Sequence, residues 1–331
     1  MKIAVDVMGG DLGPAEAIKG AMMAVREYDI EVALVGRQAD IEAELARQRN
    51  LPSVSIVHAD EVVEMREHPT TALRTKRNSS IAVGLNLVKE GQASAFVSPG
   101  NTGAIMAMAL FTLGRIPGIE RPALAIVFPT ARGKSLLIDI GANADCKPSY
   151  LVQFALMGSL YLSKVFGTVD PKVGLLSIGE EETKGNQLVV ETHALLKSQK
   201  VVNFIGNVEG KDIPAGVADV VVSDGFVGNV VVKLSEGLGV FLLGIIKEEL
   251  TRGIISKALT LALLPNFKRV LNRVDYAEWG GSPLLGVEGV CIIAHGRSNA
   301  KAIKNAIRVA KQATEQGIVA AIKQGVRREE T

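Results

Sequence analysis

Short runs of β-branched and aliphatic residues, each ending in a glycine cluster, recur along the whole 331-residue chain, and this rhythm limits the fold more than any other feature. The runs are KIAVDVMGGD (2–11), EVALVG (31–36), ASAFVSPGNTG (93–103), SLLIDIGAN (135–143), KVGLLSIGEEETKGN (172–186), NFIGNVEG (203–210) and ADVVVSDGFVGN (218–229). Helix-like stretches lie between them: Ala15 to Tyr28, Ile41 to Arg49, Ser80 to Glu90, Tyr150 to Leu162, Gln187 to Lys197 and Asn299 to Lys323. Strands that alternate with helices imply an α/β fold, a three-layer α/β/α arrangement around a mixed, mostly parallel sheet. Ligands of such folds bind beyond the carboxyl ends of strands, where these glycines fall. Glycine is in excess, 34 of 331 residues against a usual ~7%. No repeat, low-complexity segment or long linker divides the chain, so 1–331 reads as one two-lobed domain, with 237–276 as a helical hairpin projecting from it.

Composition excludes several classes. Lys and Arg number 37 against 35 Asp and Glu, and aromatics are 4%, so neither a basic field nor base-stacking surface points to nucleic acid. Cys146 and Cys291 are the only cysteines; no disulfide framework or metal site is expected, and the thiols fit a reducing cytoplasm. The N-terminus lacks the apolar core and cleavage site of a signal peptide. The longest uncharged stretch, 91–114, is interrupted by SPGNTG, so no membrane-spanning helix is expected.

Five motifs carry candidate chemistry. Gly9, Gly10 and Asp11 follow a strand and precede a helix that Pro14 starts; they read as an amide cradle for an anion or as a plain βα turn. Ser98, Gly100, Asn101, Thr102 and Gly103 add polar donors to a glycine turn at another helix start. NSS (78–80) follows Arg74, Lys76 and Arg77, an anion site or a solvated basic face. In GEEETKGN (179–186), Lys184 is the candidate cation facing substrate oxygen, although a surface loop has the same look. SDGFVGN (223–229) offers Asp224 and Asn229. The histidines at 58, 68, 193 and 295 show no mutual pairing; His295, at a strand end, could polarise a carbonyl or be structural. There is no G-x-x-x-x-G-K-[ST], G-x-S-x-G or strand-linked G-x-G-x-x-G, which removes support for common nucleotide-binding and serine-hydrolase types.

Taken in order, IAVDVMGGD, LRTKRNSS, SPGNTGA, GRIPGIERPALA, DIGAN, QFALMGS, GEEETKGN, FIGNVEG, SDGFVGN, WGGSPLLG and AHGRS resemble the bacterial phosphate acyltransferases of glycerolipid synthesis, acyl-(acyl carrier protein):phosphate transacylases, over nearly the whole chain. Leu12-Gly13 departs from a common His-Ala, and Pro99 from a common alanine. The resemblance implies a homodimer with a fold similar to isocitrate and isopropylmalate dehydrogenases and phosphotransacetylases. It implies transfer of a long-chain acyl group from acyl carrier protein to inorganic phosphate, with no cofactor or metal, supplying a membrane glycerol-3-phosphate acyltransferase.

The chemistry is permissive. Phosphate loses a second proton near pKa ~6, and a thiol of pKa ~8.5 leaves readily, so neither a strong base nor a covalent acyl-enzyme is needed. The expected assignment places phosphate on Gly9–Asp11 and Ser98–Gly103, with Asn143 and Lys184 in support, Lys76 and Asp224 nearby, and Asn229 or His295 at the thioester carbonyl. A phosphotransacetylase-like enzyme acting on small acyl-CoA is the rival, followed by a metal-dependent decarboxylating dehydrogenase and a non-catalytic scaffold. Acyl carrier protein should dock on Arg74, Lys76 and Arg77 or on 252–273. Segment 252–273 holds Arg252, Lys257, Lys268, Arg269 and Arg273 with no acidic residue. Its apolar run to Pro265 suits peripheral docking on an anionic membrane through 254–273, or packing on a dimer partner.

Overall fold

The computed structural model describes all residues except 49–51, 254–255, 257–259, 261–262, 268, 271–279 and 330–331, and leaves the side chains of 328–329 undescribed. The first part of the chain forms β1 (Lys2–Asp6), α1 (Pro14–Tyr28), β2 (Glu31–Gly36), α2 (Gln38–Ala46), β3 (Ser55–His58), α3 (Pro69–Thr75), α4 (Ser80–Lys89), β4 (Ala95–Ser98) and α5 (Thr102–Thr112). The middle adds β5 (Ala123–Thr130), β6 (Gly133–Ile138), α6 (Pro148–Phe166), β7 (Lys172–Leu176), α7 (Gln187–Gln199), β8 (Asn203–Val208), α8 (Asp212–Ala215), β9 (Val220–Val222) and α9 (Gly225–Thr251). The last part forms β10 (Ser282–Leu285), β11 (Val290–Ile293), α10 (Ala300–Glu315) and α11 (Ile318–Glu329).

The strands make one eleven-stranded sheet in the order β3-β2-β1-β4-β11-β10-β5-β6-β9-β7-β8. Strand alternation feeds two cores. Ile3 and Val5 of β1 join Ile18 and Met22 of α1 and Ile303 and Ile307 of α10 on one face, with Phe154 and Tyr161 of α6. Ala4 joins Leu85 of α4 and Ile105 and Met108 of α5 on the other. β6 repeats the alternation: Leu136 and Ile138 face the first core, and Leu137 faces a separate, smaller cluster with Val208, Ile213 and Val221. The fold is therefore the expected three-layer α/β/α sandwich.

The position of the site follows from the sheet's centre. The steps β11–β10, β10–β5 and β5–β6 are antiparallel, so the two parallel halves, β3-β2-β1-β4-β11 and β6-β9-β7-β8, run in opposite directions. Their carboxyl ends still meet, because β10 is short and offset. Ser282 at its start pairs with Ile293 at the end of β11, and Leu285 at its end pairs with Ala123 at the start of β5. Across the next step Ala125 pairs with Ile138, the last residue of β6.

Two expectations concern helices, and the first changes. The helix expected over Asn299–Lys323 is two helices, because Gly317 adopts φ 60° between them. The second, of no membrane-spanning helix, stands: α9 reaches the length and apolar composition of a span, by those two measures only. Lys233 and Glu236 interrupt its uncharged run, which hid it in the sequence. Only 6% of its most apolar stretch is buried, and Val240 and Phe241 are 74% and 61% exposed. Of the hairpin expected over 237–276, the described residues show the later part of α9, a helix that starts at Gly225. Thr260 Oγ1 donates to the Leu250 carbonyl at 3.0 Å, while much of the second limb lies outside the described residues.

Close packing between layers makes a first test. A Cβ on Gly84 of α4 would lie 2.3 Å from Cε2 of Phe96, which is fully buried. Gly84→Ala should lose up to about 2 kcal/mol, since overpacking of ~1–3 kcal/mol at so close a ring contact outweighs an alanine helix gain of ~1 kcal/mol. Urea denaturation should show a lower midpoint at unchanged slope.

Candidate functional site

Asp6, the last residue of β1, is fully buried. Its Oδ1 accepts from the amides of Met8 and Gly9 at 3.0 and 3.2 Å, and its Oδ2 accepts from the Ser98 hydroxyl at 2.6 Å. Ser98 Oγ in turn accepts from the Gly100 amide at 3.0 Å. This chain of bonds presses the turn after β1 onto the turn after β4: a Cβ on Gly9 would sit 2.7 Å from Gly100 Cα. The turn after β11 closes the cluster, with the Asp11 amide donating to the Gly296 carbonyl at 2.7 Å and Arg297 Nε 4.0 Å from Asp11 Oδ2. Desolvation by burial raises the Asp6 pKa above the ordinary carboxylate value, with the hydrogen bonds from Ser98 and Ser80 opposing it.

The other half repeats the device. Asp139, just after β6, is fully buried. Its Oδ1 accepts from the amides of Leu124, Gly141 and Ala142 at 3.3, 3.1 and 2.8 Å. Its Oδ2 accepts from the amide and side-chain nitrogen of Asn143 at 2.8 and 2.9 Å. Burial raises this pKa as well. Ser223, just after β9, donates to the Asp139 main-chain carbonyl at 3.2 Å, whereas Ser98 donates to the Asp6 carboxylate. The α9 start is wedged against this loop: the Gly225 amide donates to the Asn143 carbonyl at 2.8 Å, and a Cβ on Gly228 would lie 1.8 Å from the Asp139 carbonyl oxygen.

Between the halves lies a cavity of about 380 Å³. Thr102 and Gly103 from the start of α5, Asn229 and Lys233 from α9, and His295 and Ser298 from the turn before α10 supply its polar wall. The starts of α5 and α10 therefore face one space beside the second and third turns of α9; Asn101, Asp224 and Asn299 cap the three helices, accepting from Ala104, Val227 and Ala302 at 3.0, 2.9 and 3.0 Å. At α10 the Ala300 amide is already met by Glu16 Oε2 at 2.7 Å, and at α9 the Gly225 amide by the Asn143 carbonyl, so the start of α5 is the end whose dipole favours an anion in the cavity. Met106, Leu124, Ile126, Ile140, Val232 and Ile293 make the remainder apolar.

Of the residues singled out from sequence, Thr102, Gly103, Asn229 and His295 line the cavity. Gly9, Gly10, Asp11, Ser98 and Gly100 form the clamped turns beside it, and Asp224 caps α9. Asn101 and Asn143 have their amide nitrogens engaged by protein. Asn101 Nδ2 donates to the Met65 and Glu67 carbonyls at 3.0 and 2.9 Å, and Asn143 Nδ2 to the Pro122 carbonyl at 2.8 Å. Lys76 pairs with Glu67 at 2.7 Å and bonds the Val62 carbonyl, so it secures the 62–67 segment outside the cavity. Lys184 is exposed, and it is absent from the cavity lining. His295 is exposed at the cavity and accepts from the Arg297 amide at 3.2 Å.

Lys233 and Glu236, ion-paired at 2.9 Å on the cavity wall, were missed by sequence reasoning. Their spacing from Asn229, four and seven residues, places all three on one helix face, a signal that was present. The two buried aspartates were missed as organisers; each ends a strand immediately before a glycine turn. Glu180, Glu209 and Asp212 group their carboxylates within 4.8 Å, with the Lys211 ammonium against Glu209 and 3.7 Å from Glu180. Burial and nearby Asp139 push the Cys146 thiol up to about 12. Its Sγ donates to the Asn143 carbonyl at 3.4 Å.

A family model described as fatty acid synthesis protein matches residues 1–321. The phosphate acyltransferase of Pelotomaculum thermopropionicum is 52% identical over 98% of this chain and 95% of its own length. That of Desulfitobacterium hafniense strain Y51 is 55% identical over 98% and 96%. Among solved structures, a phosphotransacetylase from Streptococcus pyogenes shares the fold, with a TM-score of 0.63 at 18% identity over 99% of this chain and 94% of that one. A 4-hydroxythreonine-4-phosphate dehydrogenase from Klebsiella pneumoniae also shares it, at TM-score 0.53, 14% identity and coverage of 95% and 99%.

The Asp6 clamp is testable by stability. Asp6→Ala orphans two amides and a hydroxyl and should cost about 3 kcal/mol or more. Asp6→Asn keeps an acceptor for both amides and should cost less. Because the folded pKa is raised, the native state binds the extra proton between the unfolded value of ~3.9 and the folded one. Wild type should thus gain stability relative to Asp6→Asn as pH falls through the folded pKa, and lose that gain as pH rises again. Denaturant titrations across this window measure the difference.

Proposed function

The chain belongs to the fatty acid synthesis protein family and has phosphate acyltransferase activity; from that premise we propose that it moves a long-chain fatty acyl group from the thioester of acyl carrier protein to inorganic phosphate. The observation that supports this most is the two-sided cavity: the start of α5 with Asn229, Lys233 and His295 at one side, aliphatic side chains at the other. The polar side suits a phosphate dianion, the apolar side an acyl chain. The product, an acyl phosphate, passes to a membrane glycerol-3-phosphate acyltransferase.

Phosphate held at the start of α5 attacks the thioester carbonyl directly, and the thiolate of the donor leaves. Asn229 Nδ2 and the His295 ring are placed to stabilise the developing oxyanion, and Lys233 supplies the cation close to phosphate. Lys184 contributes only where the 177–186 loop closes over the cavity. Direct attack suits the thiols: burial pushes Cys146 and Cys291 up to about 12, which leaves almost no thiolate to form an acyl-enzyme near neutral pH.

Acyl carrier protein, an acidic helical partner, docks beside the cavity on α3. Pro69 of α3 abuts Gly103, whose Cβ would lie 2.6 Å from Pro69 Cγ, and Arg74 and Arg77 are exposed at the far end of α3. The enzyme acts in the cytoplasm as a homodimer that binds anionic membrane surfaces reversibly through 254–273. Support comes from α9, where Leu234, Leu238, Val240, Phe241 and Leu242 are exposed and call for a cover.

Three outcomes test this reading. Purified protein should consume palmitoyl-acyl carrier protein only when phosphate is present; turnover confined to acetyl-CoA would instead mark a phosphotransacetylase. Asn229→Ala should lower kcat by about 100-fold, the scale of a lost oxyanion donor, while Cys146→Ala stays active, as read by thioester loss. Anionic vesicles should co-sediment with wild type and not with Leu261→Glu/Lys268→Glu, while the variant still dimerises.

A further inference from the structure

The apolar side of the cavity does not end at the reacting centre. Leu124 and Ile126 line it from β5, Ile140 from the turn after β6 and Val232 from α9. Along β5 the same face continues, two residues on, to Phe128. Phe128, Ile126, Ile140 and Val231 pack against the core cluster that holds Leu137 and Val232. Yet Ile126, Phe128, Ile140 and Val231 are each only half-buried, as expected of side chains that flank a trough rather than fill a core. A strand rises ~3.4 Å per residue, so Leu124 to Phe128 spans about 14 Å, far more than an acetyl group occupies. The far end is walled by α8, where the Ala131 amide donates to the Pro214 carbonyl at 2.8 Å. Antiparallel pairing of Leu137 with Ile126 holds the floor rigid.

We propose that the trough over β5, from Leu124 through Ile126 to Phe128 beneath α9, is the acyl-chain subsite and sets chain-length preference. This rests on the reading of the donor as a long-chain acyl thioester. Its occupant is one extended fatty chain, whose thioester carbonyl lies by Asn229 and whose methyl end points towards α8. The assignment follows from continuity with the reaction cavity and from the half-buried side chains of Ile126, Phe128, Ile140 and Val231 along this line. Ile126, midway, controls passage; Phe128 is the stop. Side chains that shorten or lengthen the trough therefore change the ratio between long and short donors and not the chemistry.

The test uses the full-length protein with acyl carrier protein thioesters of eight, twelve, sixteen and eighteen carbons at saturating phosphate. Ile126→Trp should lower kcat/KM for the sixteen-carbon donor relative to the eight-carbon donor by about tenfold or more, since several methylenes lose burial. Phe128→Ala should move the other way and favour the eighteen-carbon donor by a few-fold. These ratios are independent of the amount of folded protein, and circular dichroism checks the fold of each variant. Wild type that consumes sixteen-carbon donors, with both variants keeping its ratios or losing all chain lengths equally, overturns the trough alone. Wild type that turns over only two-carbon donors overturns the long-chain reading and the trough with it.

Discussion

The hydrogen bond from Ser98 to the buried Asp6 carboxylate is the contact on which the site's geometry depends. A carboxylate at full burial is costly unless its lone pairs are met, and here they are met by groups from two turns that are 92 residues apart in sequence. The bond therefore fixes the β1 turn and the β4 turn as one rigid piece. The Asp139 carboxylate, with five bonds, ties the 141–143 turn to Leu124 at the start of β5, while Ser223 holds the start of α9 through the Asp139 main-chain carbonyl. Catalysis that depends on placing amides near a carbonyl and a phosphate needs this rigidity, because preorganised donors undergo no reorganisation during the reaction.

The two clamped pieces belong to half-sheets that run in opposite directions, and the four residues of β10 bring their carboxyl ends together. The cavity is thus a seam between two units, lined by the starts of α5 and α10 from one and by the second and third turns of α9 from the other. Such a seam also explains the mixed lining. Polar groups come from the turns, and aliphatic groups come from the β5 face and the inner side of α9, which would otherwise have closed on each other as core.

α9 joins chemistry to surface. Its first turns hold Asn229 and Lys233 at the cavity, with Gly228 in van der Waals contact with the Asp139 loop, and its later turns carry exposed Val240 and Phe241. One continuous helix couples the two, so whatever covers its apolar end acts on an element that also carries site residues. In the proposed reaction this suits a labile, lipid-like product.

Strand and helix order, the α/β class and the anion-friendly turns were legible in the sequence because they are local: periodicity, Pro14 at a helix start, and glycines after aliphatic runs report on nearby backbone. Thr102, Gly103, Asn229 and His295 were legible for the same reason, as polar residues in such turns. Lys184 had the same local signature but lies away from the cavity lining, since exposure is decided by which strands are neighbours. Lys76 and Asn101 looked like ligands, and the fold turns them inward to bind the 62–67 segment. Lys233 entered the site only through the angle at which α9 leaves β9. The sequence by itself determined the elements and the donor-rich turns, whose causes lie within a few residues. The offset of β10, the facing of two opposed half-sheets and the trough over β5 were decided by tertiary structure alone, because they depend on pairings between strands such as β10 and β5, which stand far apart in the chain.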